Sequence, residues 1–99
     1  MNSLASIAQS GMSAAMLRLD ASANNIANGQ TPGYRRQFVQ QESQAGGGVT
    51  TSVAQASEPG ADLAADIVEK MISSYSFKAN LHVIKTQDEM LGSLLDLHA

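Results

Sequence analysis

The chain has 99 residues, a formal net charge of −3 and a pI near 5.1, which bound it to a single domain and argue against nucleic-acid binding. Hydrophobic residues make up 43% but aromatics only 4%, with no Trp and no Cys, so any core rests on Ala, Leu, Ile and Met, and neither a disulfide framework nor a thiolate metal site is available. No apolar run approaches the roughly 20 residues that span a bilayer, and the N-terminus lacks the basic and compact apolar regions of a signal peptide.

Residues 3–28 read as a helix. Small and apolar side chains recur at Ala5, Ala8, Met12, Ala15, Leu19, Ala23 and Ile26, alternating by three and four as a heptad seam does. Leu4, Ile7, Gly11 and Ala14 widen that surface, and Ser6, Gln9, Ser13, Asp20 and Asn24 occupy the other side. The Ala-rich seam predicts close approach of a partner helix. Asn2 or Ser3 can cap the start.

The helix stops at a marked place. Gly29 after Asn28 predicts a left-handed C-cap. Thr31-Pro32-Gly33-Tyr34 has the chemistry of a type II turn, with Pro presetting φ and Gly supplying a positive one. Capping accounts for Asn28 and partly for Asn25, but not for three asparagines at 24, 25 and 28. Side-chain amides both donate and accept, so Asn24 and Asn25 are expected to fix how the hairpin base docks on its own long helix or on a neighbour. For Arg35-Arg36 two readings stand equally: ordinary surface charge, or a salt-bridge contact to another subunit.

Residues 30–61 read as turn and extended chain. Tyr34–Gln41 has strand character, and Val49–Ala54 is rich in β-branched residues. A β-hairpin across Gly46-Gly47-Gly48 is favoured over a flexible loop. The glycine run lacks the spacing and the Lys of a phosphate loop and reads as linker.

Residues 62–97 read as a long helix of roughly 50 Å, opened by Asp62 as N-cap, with Asp66 and Glu69 in the early turns where the helix dipole favours acid. One apolar stripe comprises Val68, Ile72, Tyr75, Ala79, Val83, Met90, Leu94 and Leu97; a second comprises Phe77, Leu81, Ile84, Leu91 and Leu95. At about 100° per residue the stripes lie about 150° apart. Two opposed apolar faces need two partners. The first stripe (Val68, Ile72, Tyr75, Val83, Met90, Leu94) is therefore expected to meet Met12, Leu19 and Ile26 of the first helix as an intramolecular seam. The second (Phe77, Leu81, Ile84, Leu91, Leu95) is expected to be an assembly interface, from which identical units build a ring or an open filament.

Nothing in the chain composes an active site. His82 reads as a boundary imidazole, Asp88-Glu89 as a solvated pair pointing apart, and Ser73, Ser74 and Ser76 lack a nearby base. Met12, Met16, Met71 and Met90 at helical spacing are core filler rather than a soft-metal site. No catalytic, cofactor-binding or metal residue is assigned, and no cofactor is expected.

The run "SANNIANGQTPGYRRQ", Ser22 to Gln37, resembles the N-terminal signature of the bacterial flagellar axial proteins, the rod, hook and hook-associated proteins. The matching positions are Asn24, Asn25, Ile26, Ala27 and Asn28, then Thr31, Pro32, Gly33 and Tyr34, then the basic Arg35. "DIVEKMISSYSFKANLHVIKTQDEMLGSLLDL", Asp66 to Leu97, is similar to the C-terminal helix of the same proteins. The resemblance implies a mainly α fold. Residues 3–29 and 62–97 would form one axial domain, an antiparallel, coiled-coil-like hairpin, with residues 30–61 as the connecting turn and extended or β-hairpin segment. Larger members insert big β-rich domains at that point, so the short middle points to a small rod subunit, natural or shortened. The implied function is structural: a subunit of the basal-body rod in the periplasm, packed by its terminal helices into a tube that transmits torque and conducts exported subunits. Its partners would be copies of itself, other rod and hook proteins, and the flagellar type III export apparatus, which exports without cleaving the N-terminus; neither nucleic-acid binding nor membrane insertion is implied. The alternative from the residues alone is a generic self-associating helical hairpin, such as an adaptor or a secretion-apparatus needle-like protein.

Overall fold

A computed structural model describes residues 4–98. The order is α1 (Leu4–Ala27), β1 (Gln37–Ser43), β2 (Val49–Gln55) and α2 (Leu63–His98), a mainly helical fold with a short antiparallel hairpin between its helices. The expected cap at Asn2 or Ser3 lies outside the described residues. Cα atoms extend over 63 × 25 × 13 Å, so the molecule is long and thin.

The end of α1 differs from the expected C-cap. Gly29 is not among the residues with positive φ. The chain instead tightens, with the Gly29 N–H donating to the Ile26 carbonyl at 3.3 Å and Thr31 N–H to Asn28 at 2.9 Å. The Asn24 carbonyl accepts twice from Asn28, from its backbone N–H at 3.0 Å and from its side-chain amide at 2.9 Å, so a side chain reinforces the helix end. The type II turn forms as expected: Tyr34 N–H donates to the Thr31 carbonyl at 3.3 Å, and Gly33 sits at φ 75°.

β1 and β2 pair in antiparallel register, Val39 opposite Val53 and Ser43 opposite Val49. The strand expected from Tyr34 begins at Gln37. Residues 34–36 are instead tied to the chain returning toward α2, with Ala56 N–H to the Arg36 carbonyl at 2.8 Å and Gly60 N–H to Tyr34 at 3.2 Å. The glycine run is more than linker. Gly47 and Gly48 have φ of 95° and 87°, and a Cβ on either would come within 2.8 Å of Ile7 Cδ1 or Ser10 Oγ. Their bareness lets the hairpin tip lie on α1, where Val49 N–H donates to Ser10 Oγ at 3.2 Å.

α2 starts at the expected cap, Ala65 N–H donating to Asp62 Oδ1 at 3.1 Å. It runs antiparallel to α1, with Arg18 against Glu69 and Gly11 against Asn80. α1 is therefore the middle layer. Gly11, Arg18, Ser22 and Asn25 meet α2, with the buried Ala8 and Ala15 at the same helical spacing, while Ile7, Ser10 and Ala21 lie under the ribbon.

The seam corrects the expectation. Among the described residues the buried apolar ones are all alanines, Ala8, Ala14, Ala15 and Ala21, and α2 turns Asp66 and Ser73 inward. Val68, Ile72, Tyr75, Val83, Met90 and Leu94 are exposed, Val83 least at 37% and Tyr75 most at 76%. They are not the intramolecular seam. Met12, Leu19 and Ile26 are half-buried at its edge, and Ala23 is exposed. The inward face of α2 lies about a third of a turn from that stripe. Two causes select it: small side chains let the helix axes approach closely, and only this rotation delivers the Asp66 carboxylate to its partners.

Candidate functional site

The base of the hairpin is a closed polar cluster. Asn25 is 3% exposed and uses both ends of its amide. Its Oδ1 accepts from Gln37 N–H at 2.7 Å and from the Tyr34 hydroxyl at 3.1 Å. Its Nδ2 donates to the Gln37 carbonyl at 2.7 Å and to Asp66 Oδ1 at 3.1 Å. The two bonds to Gln37 mimic a strand neighbour, so Asn25 starts the ribbon from the helix. Asp66, 2% exposed, also accepts from Arg36, whose Nε lies 3.2 Å from both carboxylate oxygens and whose terminal nitrogen lies 2.5 Å from Oδ1. The hydrogen bond that Arg36 donates to Asp66 holds the Arg36 proton more tightly than usual; burial opposes this, and attraction to Asp66 and Asp62 adds to it. One turn along, Arg18 pairs with Glu69 at 2.5 Å, and Ser73 donates to the same oxygen at 3.3 Å.

A cleft over this cluster is lined by Arg18, Asn25, Arg36, Gln37, Asp66 and Glu69. Its charges are consumed in mutual pairs. Among the described residues no group of His, Asp and Glu is placed to hold a metal, and no helix is long and apolar enough to cross a membrane. What the arrangement does is mechanical: it locks α1, the turn, β1 and α2 at one point.

The expected signature residues divide. Asn25 and Tyr34 enter the cluster, and Asn28 caps α1, joined by Thr31 Oγ1 at 3.3 Å. Pro32 and Gly33 form the exposed turn. Ile26 is half-buried beside Ile67 and Met71. Asn24, Ala27 and Arg35 are exposed; Asn24 contributes its carbonyl and Arg35 a backbone bridge to Gly60. Arg36 is neither loose surface charge nor free for a neighbour, because Asp66 of its own chain engages it. Asp66 and Glu69 are likewise seam residues, beyond the helix-end acids they resemble. Their signal was present: Asp66, Glu69, Ser73, Ser76 and Asn80 repeat by three and four as a polar heptad row.

Of the second stripe, Phe77 is half-buried beside Met12 and Met16 and Ile84 is half-buried. Leu81, Leu91 and Leu95 are exposed. Beyond Leu4, α2 continues with Met90, Leu91, Leu94, Leu95 and Leu97 all exposed.

Residues 6–35 match the family model described as flagella basal body rod protein. The matched stretch takes in most of α1, Asn25 and the turn through Tyr34, while α2 lies outside it. No curated protein matches the chain. The match makes residues 6–35, under half of the 99-residue chain, similar to the flagellar basal-body rod family, which is structural rather than enzymatic.

Proposed function

We propose that this chain is a structural subunit of the flagellar basal-body rod that assembles through its terminal helices into a tube transmitting torque and conducting exported subunits. The family match supports a rod role at the basal body. One observation carries the finer reading: α2 keeps Val68, Ile72, Tyr75, Met90 and Leu94 exposed while the chain buries alanine and polar groups. A solvent-facing apolar surface of that length is an association surface. In this reading residues 3–29 and 62–97 form the axial domain and residues 30–61 its connecting segment. Other axial proteins lie above and below it, and export proceeds through the flagellar type III apparatus without a cleaved signal peptide.

The test is complementation. In a strain lacking its own copy, the tagged chain should copurify with basal bodies and restore spreading in soft agar, whereas Ile72→Asp with Leu94→Asp should be made and exported but not incorporated. Incorporation and motility unaffected by both changes would overturn assembly through α2.

A further inference from the structure

We propose that one flank of α2 is a head-to-tail docking surface for a second copy of this chain, its acidic tip resting on the lysine-bearing flank of the next. The observation is how charge is distributed. Asp66 and Glu69 are engaged inside the chain by Arg36 and Arg18, the two ion pairs among the described residues. The remaining charges of α2 are fully segregated: Lys70, Lys78 and Lys85 come first, and Asp88, Glu89 and Asp96 follow. All six are exposed.

Both halves carry apolar surface between the charges. Lys70 and Lys78 border an open groove formed by Ile26, Ile67, Met71 and Tyr75. The acidic half bears Leu91 and Leu95, 56% and 64% exposed. Position 88 follows 70, and 96 follows 78, by the same 18 residues. That spacing is five complete turns and about 27 Å, so acids and lysines share one flank. A neighbour advanced by about 27 Å brings its Asp88 and Asp96 level with Lys70 and Lys78, and its leucines over the groove. Like-signed ends repel in other registers, so the pattern fixes stagger as well as partner. Each pair then keeps one free tip and one free lysine flank, on different copies. An antiparallel two-fold pairing would match the same charges but use both ends and stop at a dimer; preference for the open series rests on the rod reading above.

The test is sedimentation velocity of the full chain over a concentration series at low and high salt, with circular dichroism as a folding control. Lys70→Glu/Lys78→Glu and Asp88→Lys/Asp96→Lys are compared alone and mixed. Wild type should grow beyond the dimer and do so less at high salt. Each variant alone should associate about tenfold more weakly at low salt, and an equimolar mixture should recover the wild-type series, because each restores the contact the other lost. Association unchanged in both variants, a mixture that does not recover, growth that ends at a dimer, or a wild-type chain that stays monomeric would each overturn the proposal. Basal-body incorporation, scored separately, keeps the two readings apart: a wild-type chain that incorporates while the contact fails leaves the rod role standing, and one that does not incorporate removes it.

Discussion

Asn25 is the residue on which four segments converge, and its position in the chain hides this. Next to it, Asn24 has the same chemistry but sits on the outer face of α1, one residue and 100° away. Replacing Asn25 with Ala leaves the Gln37 N–H, the Gln37 carbonyl and part of Asp66 without partners. Buried groups left unpaired cost about 1–3 kcal/mol, and two or more are affected, so Asn25→Ala should lose about 2–3 kcal/mol in urea unfolding. Asn24→Ala should stay within about 0.5 kcal/mol. Equal effects at the two positions would show that the cluster does not fasten the base. The Arg36 ion pair makes no pH switch near neutrality. Its pKa is raised above the ordinary arginine value, chiefly by the hydrogen bond to Asp66, so the stability that depends on the Arg36 proton is lost only in strong alkali, as pH climbs through the folded-state pKa.

Helices, turn and hairpin were legible because each has local chemistry: a 3–4 apolar period, Pro-Gly in the turn, β-branched residues flanking glycines, Asp62 before a long periodic run. The rotation of α2 on α1 was not legible from the apolar stripes. That reading assumes the largest side chains face inward, and here the inward places go to Ala15, Ser22, Ser73 and Asp66. The same preference makes Gly11 specific to the seam. An added Cβ would lie 2.8 Å from Asn80 Oδ1 and 2.9 Å from its Cγ, so Asn80 would have to abandon its 2.9 Å bond to the Ser76 carbonyl. Gly11→Ala gains roughly 1 kcal/mol of helix propensity but overpacks at a cost of about 1–3 kcal/mol, so a net loss of about 1 kcal/mol is expected. Adding Asn80→Ala removes the obstruction, and the double variant should recover that loss, a coupling that a double-mutant cycle in urea reads directly. Purely additive changes would mean that the helices do not touch there.

At the scale of the whole molecule, the interior is built from alanine and paired polar groups while most of the leucine, isoleucine and methionine of α2 faces out. This arrangement makes an unusual separation measurable. Burying alanine removes little apolar area, so the single chain has a modest hydrophobic contribution, and the larger gain is available only when a neighbour covers α2. The polar seam also decides which face meets α1. Rotating α2 to bury Ile72 and Met90 would strand Asp66 and Glu69 away from Arg36 and Arg18, at a cost of several kcal/mol. The outward stripe is thus kept outward by the charges opposite it. Ile72→Gln with Tyr75→Gln, residues that would be core in an ordinary hairpin, should change single-chain stability by no more than about 0.5 kcal/mol per site, because they are already 49% and 76% exposed. The same pair should sharply weaken concentration-dependent association. Asp66→Leu should behave in the opposite way: it leaves the outer surface intact but frees α2 to turn its apolar stripe onto α1, so association falls because the surface has been used up within the chain. Near-ultraviolet circular dichroism of Tyr75, exposed in the wild type, should strengthen as that ring becomes ordered against α1. If association instead survives Asp66→Leu undiminished, the seam charges do not hold the stripe outward.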